Sequence, residues 1–229
     1  MTMAERIAAI LASIEDAKTS CGRTDTVALM AVSKTHPYEA IEQAVACNQL
    51  LFGENRVQEI LSKFPEERSG YALHLIGHLQ SNKVKKAVKA VDAIDSVDSL
   101  KLARMISSES QKIGKVMPIL IEWNTSGEDS KAGFTDEKDY YALLDEVENL
   151  PGIAIQGLMT IGPLTENEMQ VRNAFAQLRN LLEKSRTTHP HLAWNTLSMG
   201  MSQDYRWAIQ EGSTVVRIGT AIFGQRDYL

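Results

Sequence analysis

Cysteine is scarce in this chain: its 229 residues contain two, Cys21 and Cys47, at no CxxC or other metal-ligand spacing. Cysteines so placed read as reduced thiols, which excludes a metal-binding pair and suits a cytoplasmic protein. Long apolar runs are missing as well. No stretch approaches the roughly eighteen residues that a membrane span needs. The run from Ile7 to Ile14 is short, has Glu5 before it and Glu15-Asp16 after it, and lacks a cleavage-site pattern. There is no basic excess either, since the net charge is −5. That speaks against nucleic acid as a partner, while a small anionic ligand stays open because it needs only local positive charge and backbone amides. Finally, no Pro/Gly/Ser-rich linker or shift in composition divides the chain, so residues 1–229 read as one domain. With 44% apolar and 23% charged residues, it can build a sizeable core without staples.

The hydrophobic pattern supplies the architecture. Ile7, Ile10, Leu11 and Ile14 recur at helical spacing, so an amphipathic helix spans about 3 to 20. Short apolar runs then alternate with helical patterns. The strands are expected at 26–32, 50–52, 72–76, 93–97, 116–123, 153–159, 196–198 and 214–218. Pro37 starts a helix to Ala46, others run over 54–64 and 82–90, Asp98 caps the next, and Thr135 opens the one after strand five. About eight β/α units in series predict a parallel sheet with helices outside it. The fold class is therefore α/β, a single TIM-like (β/α)8 barrel with an extra N-terminal helix.

In such a barrel the loops after the strands build the site. Lys34 stands one residue past the apolar run that ends at Val32, a setting that partly desolvates an amine and favours its nucleophilic form. A lysine snorkelling to water is the plain alternative. Ser198-Met-Gly-Met-Ser202 and Arg217-Ile-Gly-Thr220 lie after strands seven and eight. Each sets a hydroxyl beside a glycine where backbone amides can approach a phosphate, and a helix starting at Thr220 would add its N-terminal N–H groups. His74 and His78 flank Gly77 on strand three with no third ligand nearby, so His74 reads as a hydrogen-bonded core residue and not a metal ligand. Lys83, Lys85, Lys86 and Lys89 read as a solvated basic flank, with recruitment of an anionic partner as the alternative. The segment 127–133 has the composition of a functional loop.

Several of these segments resemble one family. Ala31-Val-Ser-Lys-Thr35, Phe52-Gly-Glu-Asn-Arg-Val-Gln-Glu59, His74-Leu-Ile-Gly-His-Leu-Gln-Ser-Asn-Lys83, Asp129-Ser-Lys-Ala-Gly133, Gly157-Leu-Met159, Leu197-Ser-Met-Gly-Met-Ser202 and Val216-Arg-Ile-Gly-Thr-Ala-Ile-Phe-Gly224 are similar to the pyridoxal phosphate homeostasis proteins. The likeness runs from the first helix to the C-terminus in the family's order. It implies a barrel similar to the N-terminal domain of alanine racemase, with Lys34 forming the internal aldimine with pyridoxal 5′-phosphate. It also implies that Ser198, Gly200, Gly219 and Thr220 hold the phosphate, that Arg217 faces the cofactor ring and that Asn55 stands beside it. One departure is Leu73, where the family carries an aromatic residue.

Three functions follow. The resemblance implies a carrier or buffer acting in vitamin B6 homeostasis, a cytoplasmic monomer without turnover of its own, whose partners are pyridoxal phosphate and apo-enzymes that receive it. A racemase-like enzyme using the same cofactor is the alternative. It fits less well because the chain ends at Leu229, leaving no room for the β domain that gives alanine racemase its second acid/base group. A cofactor-free aldolase with Lys34 attacking a phosphorylated sugar is the third.

Overall fold

The computed structural model describes residues 1–128 and 132–224. Among them the chain alternates strand and helix: α1 (Met3–Ser20), β1 (Ala28–Val32), α2 (Tyr38–Ala46), β2 (Leu51–Glu54), α3 (Val57–Lys63), β3 (Ala72–Leu75), α4 (Val84–Ala90), β4 (Ala93–Val97), α5 (Leu100–Gln111), β5 (Met117–Glu122), α6 (Glu137–Glu146), β6 (Ile153–Met159), α7 (Glu168–Thr188), β7 (Thr196–Ser198), α8 (Tyr205–Gln210), β8 (Val215–Ile218) and α9 (Thr220–Phe223). The strands pair in sequence order, all parallel, and β1 closes on β8 through Ala28↔Val215 to Ala31↔Ile218. The sheet is thus a closed (β/α)8 barrel, as the alternation predicts, with α1 as the extra helix.

The core has two parts because alternate residues of a strand face opposite ways. Outward-facing Leu29, Phe52, Leu73, Ile94, Ile119 and Val216 join the helices in one continuous apolar layer. Inside the barrel, Met30, Val32 and Ile76 form a small separate cluster, with Leu51 and Val215 against it. Leu73 fills its place fully buried, so the departure from an aromatic residue there leaves a packed strand. Helix α1 begins with a capping box between Thr2 and Glu5 and buries Ile7, Ile10, Ile14 and Ala17, chiefly against α8 and α9. Tyr205 Oη donates to Ser13 Oγ at 2.7 Å across that seam.

Several boundaries differ from those expected, each for a local reason. Pro37 stands at the N-cap of α2, one position earlier than a first-turn residue. Helix α3 starts at Val57 because Glu54 completes β2 and Arg56 stays extended. Residues 81–83 form a 3-10 turn before α4. Ser99, not Asp98, caps α5, its hydroxyl accepting from the Leu102 amide, while Asp98 meets His78 Nδ1 at 3.0 Å. Asp136, not Thr135, caps α6 through the Lys138 amide. Of the loop 127–133, residues 129–131 lie outside the described residues.

Candidate functional site

On β1 the inward residues Met30 and Val32 belong to the interior cluster, and Lys34, in the turn that follows, lines the same cavity as Val32. On β8 the inward series runs Val215, Arg217, Gly219. These two adjacent strands therefore bring Lys34, Arg217 and Gly219 to one cavity at the C-terminal end of the barrel, with Asn55 from the end of β2 and Thr220 from the start of α9. The cavity measures about 160 Å³, on the order of ten waters if one needs roughly 10–15 Å³. Val32, Ile76 and Ile161 give it an apolar side. Its ionisable lining is basic: Lys34, His36 and Arg217, with no carboxylate among the described residues that line it.

Arg217 is held from beneath. It is 4% exposed, and its guanidinium donates at 2.8 Å to Ser198 Oγ and at 2.8 Å to the Thr160 carbonyl. Two of its five N–H donors are thereby fixed in direction. Burial pulls its pKa down while Asp95, Glu122 and Asp204 support its charge. Among those, burial raises Glu122 to about 7, Asp98 adds to the rise and Arg217 opposes it. Asp95 also meets His74 Nδ1 at 3.1 Å. Burial works against a charge on His74, yet Asp95, with Asp92 behind it, more than offsets it and the pKa rises. His74 is thus the hydrogen-bonded interior residue its sequence position suggests.

Of the seven residues singled out from sequence, Lys34, Asn55, Arg217, Gly219 and Thr220 line the cavity, and Ser198 and Gly200 do not. Ser198 is fully buried below Arg217. Gly200 shapes the loop after β7. It has φ +94°, and a Cβ there would come within 2.5 Å of Ala208 Cβ and 2.9 Å of Tyr205 Cα, so a side chain is excluded twice over. Its carbonyl accepts from the Arg217 amide at 3.0 Å, locking that loop to β8. Gly219 serves by close approach, since a Cβ there would sit 3.0 Å from the Val32 carbonyl oxygen. His36, Ser202 and Met201 line the cavity without having been singled out as site residues. Ser202 and Met201 lie in a motif already noted, whereas His36 is placed by the turn after Lys34, its ring stacked on Phe223 at 5.0 Å.

Known proteins share both the sequence pattern and the fold. The family model for the alanine racemase N-terminal domain matches residues 6–227. The chain is 41% identical to the pyridoxal phosphate homeostasis protein of Vibrio cholerae, over 98% of this chain and 96% of that one. It is 42% identical to the protein of that name from Pseudomonas aeruginosa, over 99% and 97%. Among solved structures, PipY of Synechococcus elongatus with PLP bound superposes with a TM-score of 0.85 at 37% identity, covering 97% of this chain and 100% of PipY. An alanine racemase of Clostridium difficile shares the fold, with a TM-score of 0.72 at 14% identity, covering 96% of this chain and 60% of that one. The chain belongs to the pyridoxal phosphate homeostasis protein family, among the barrels of the alanine racemase N-terminal domain type.

Proposed function

We propose that this chain binds pyridoxal 5′-phosphate as a Schiff base on Lys34 and serves as a carrier or buffer of that cofactor, without turnover of its own. One observation carries the reading: a cavity lined by an amine, a guanidinium and hydroxyls, with no carboxylate among its described lining residues, in a molecule of net charge −5. Such a donor set suits a small, flat, anionic aldehyde. Lys34 is the covalent anchor. Thr220, the Gly219 backbone and Ser202 are the donors for the phosphate, with Asn55 beside the ring and Arg217 toward its nitrogen. Ser198 and Gly200 contribute by holding Arg217 and the β7 loop. When bound, the cofactor supplies an electron sink whose strength depends on a protonated ring nitrogen, normally held by a carboxylate. Arg217 can only donate hydrogen bonds, so the chain's own residues favour retention of the cofactor over its use in catalysis. The full-length relatives named for pyridoxal phosphate homeostasis, and PipY with PLP bound, support the same reading.

The test is chemical. Borohydride reduction of the loaded protein followed by peptide mapping should put the pyridoxyl group on Lys34. Lys34→Ala should lose the visible absorption band while keeping weak non-covalent binding. Label found mainly on another lysine would overturn the assignment.

A further inference from the structure

The backbone that carries Lys34 is unusual. The His36 amide donates to the Ser33 carbonyl at 3.1 Å, so Lys34 and Thr35 are the two central residues of a tight turn. Thr35 has φ +68°. Glycine or asparagine is the ordinary occupant of that position, and a β-branched residue there is under strain. Something must hold it. The Thr35 amide donates to Glu59 Oε1 at 2.5 Å, and the Ser33 carbonyl accepts from Lys63 Nζ at 2.9 Å. Glu59 and Lys63 stand one helical turn apart on α3 and pair at 3.0 Å. Lys63 also pairs with Glu54, whose Oε1 accepts from Ser33 Oγ at 2.6 Å. Glu54 is fully buried, its Oε2 lacks a hydrogen-bond partner among the described residues, and burial pushes its carboxyl up. A buried ionic cluster of this kind is a poor source of stability, yet each of its members except that one oxygen is directed at the two flanks of the Lys34 turn. None of the three lines the cavity.

We propose that Glu54, Glu59 and Lys63 are positioning residues: they clamp the turn in its left-handed conformation and so set where the Lys34 amine stands at the cavity. This rests on Lys34 being the covalent anchor. It predicts that loosening the clamp at Glu59 harms Schiff-base formation selectively, because the phosphate donors and Arg217 sit on β8, α9 and the loop after β7.

The experiment compares two ligands on the full chain. Pyridoxal 5′-phosphate reports the Schiff base through its visible band. Pyridoxine 5′-phosphate, an alcohol that cannot condense with an amine, reports the rest of the site. Glu59→Ala, a good helix former on α3, should weaken the first by about tenfold, which is about 1.4 kcal/mol, and the second by less than twofold. Glu59→Gln, which keeps an acceptor for the Thr35 amide, should stay within threefold of the parent for both. Adding Thr35→Gly to Glu59→Ala should bring Schiff-base affinity back to within threefold of the parent, since glycine takes a positive φ without penalty. An unchanged aldehyde affinity in Glu59→Ala, an equal loss for both ligands, or no recovery with Thr35→Gly would each overturn the clamp. A parent chain that shows no band would instead sink the cofactor reading itself, an outcome separable from all three.

Discussion

At the scale of single residues, the charged groups inside the barrel tie stability to pH. Glu122 is 4% exposed, and burial raises its carboxyl from 4.5 to about 7. The native chain therefore keeps a proton that the unfolded chain has released. Between about pH 4.5 and 7 the folded state binds more protons, so stability falls as pH rises through that window and the penalty is constant above it. At 1.36 kcal/mol per unit, the full penalty is about 3 kcal/mol. His74 acts in the same direction. Its pKa is raised above 6.5 in the fold, so its contribution is present below 6.5 and is lost as pH rises through the folded value. Glu122→Gln isolates the first effect. Compared by urea unfolding, it should gain about 3 kcal/mol over the parent at pH 8 and nothing at pH 4. A difference between the two proteins that is the same at both pH values would show that Glu122 is not protonated in the fold.

At the scale of elements, β8 and the start of α9 carry much of the site. Gly219 brings β8 against the Val32 carbonyl, and Thr220 sets a hydroxyl on the same cavity. A charge-assisted hydrogen bond contributes roughly 1.5–3 kcal/mol, so Thr220→Val should weaken pyridoxal phosphate binding by about ten- to a hundredfold. Gly219→Val should do worse, because the atom it meets is backbone and cannot swing aside. Equilibrium titration of both variants decides, and two variants that bind as the parent does would move the phosphate elsewhere. Elements like these were legible because strand ends follow from alternation and Lys34 stands one residue past an apolar run. The Arg217 contact of Ser198 and the loop packing of Gly200 were not. A serine beside a glycine reads alike whether it faces a ligand or a neighbouring strand, and only the Arg217 contact from β8 makes Ser198 a support. Helix caps failed by one residue at Asp98 and Thr135, where two capable side chains adjoin and tertiary contacts choose between them. Glu122 was an available signal, an acid closing an apolar strand, whereas the influence of Asp95 on Arg217 depends on closure of the barrel, which sets β4 opposite β8, and that of Asp204 on the path of the loop after β7.

At the scale of the whole molecule, the barrel concentrates positive charge at one mouth of an acidic protein, an arrangement that draws in a small anion. The carrier reading proposed above expects no turnover at that mouth. The described lining offers Lys34, His36 and Arg217 as ionisable groups. With pyridoxal phosphate bound as proposed, Arg217 would give the ring nitrogen a hydrogen-bond donor and no proton acceptor, and it is already committed to Ser198 and the Thr160 carbonyl. Without a protonated ring nitrogen, carbanion stabilisation is weak. Racemisation also needs a second acid/base group facing the lysine, and that is the deciding requirement. His36 is the candidate for it on the described lining, and its ring lies stacked on Phe223. The loaded protein, incubated with L-alanine and other L-amino acids, should therefore form neither D-isomers nor keto acids at a rate above free cofactor. Turnover that survives careful purification and disappears in Lys34→Ala would make the protein an enzyme. If His36→Ala abolished that turnover while leaving the visible band intact, the second acid/base group would be identified as well.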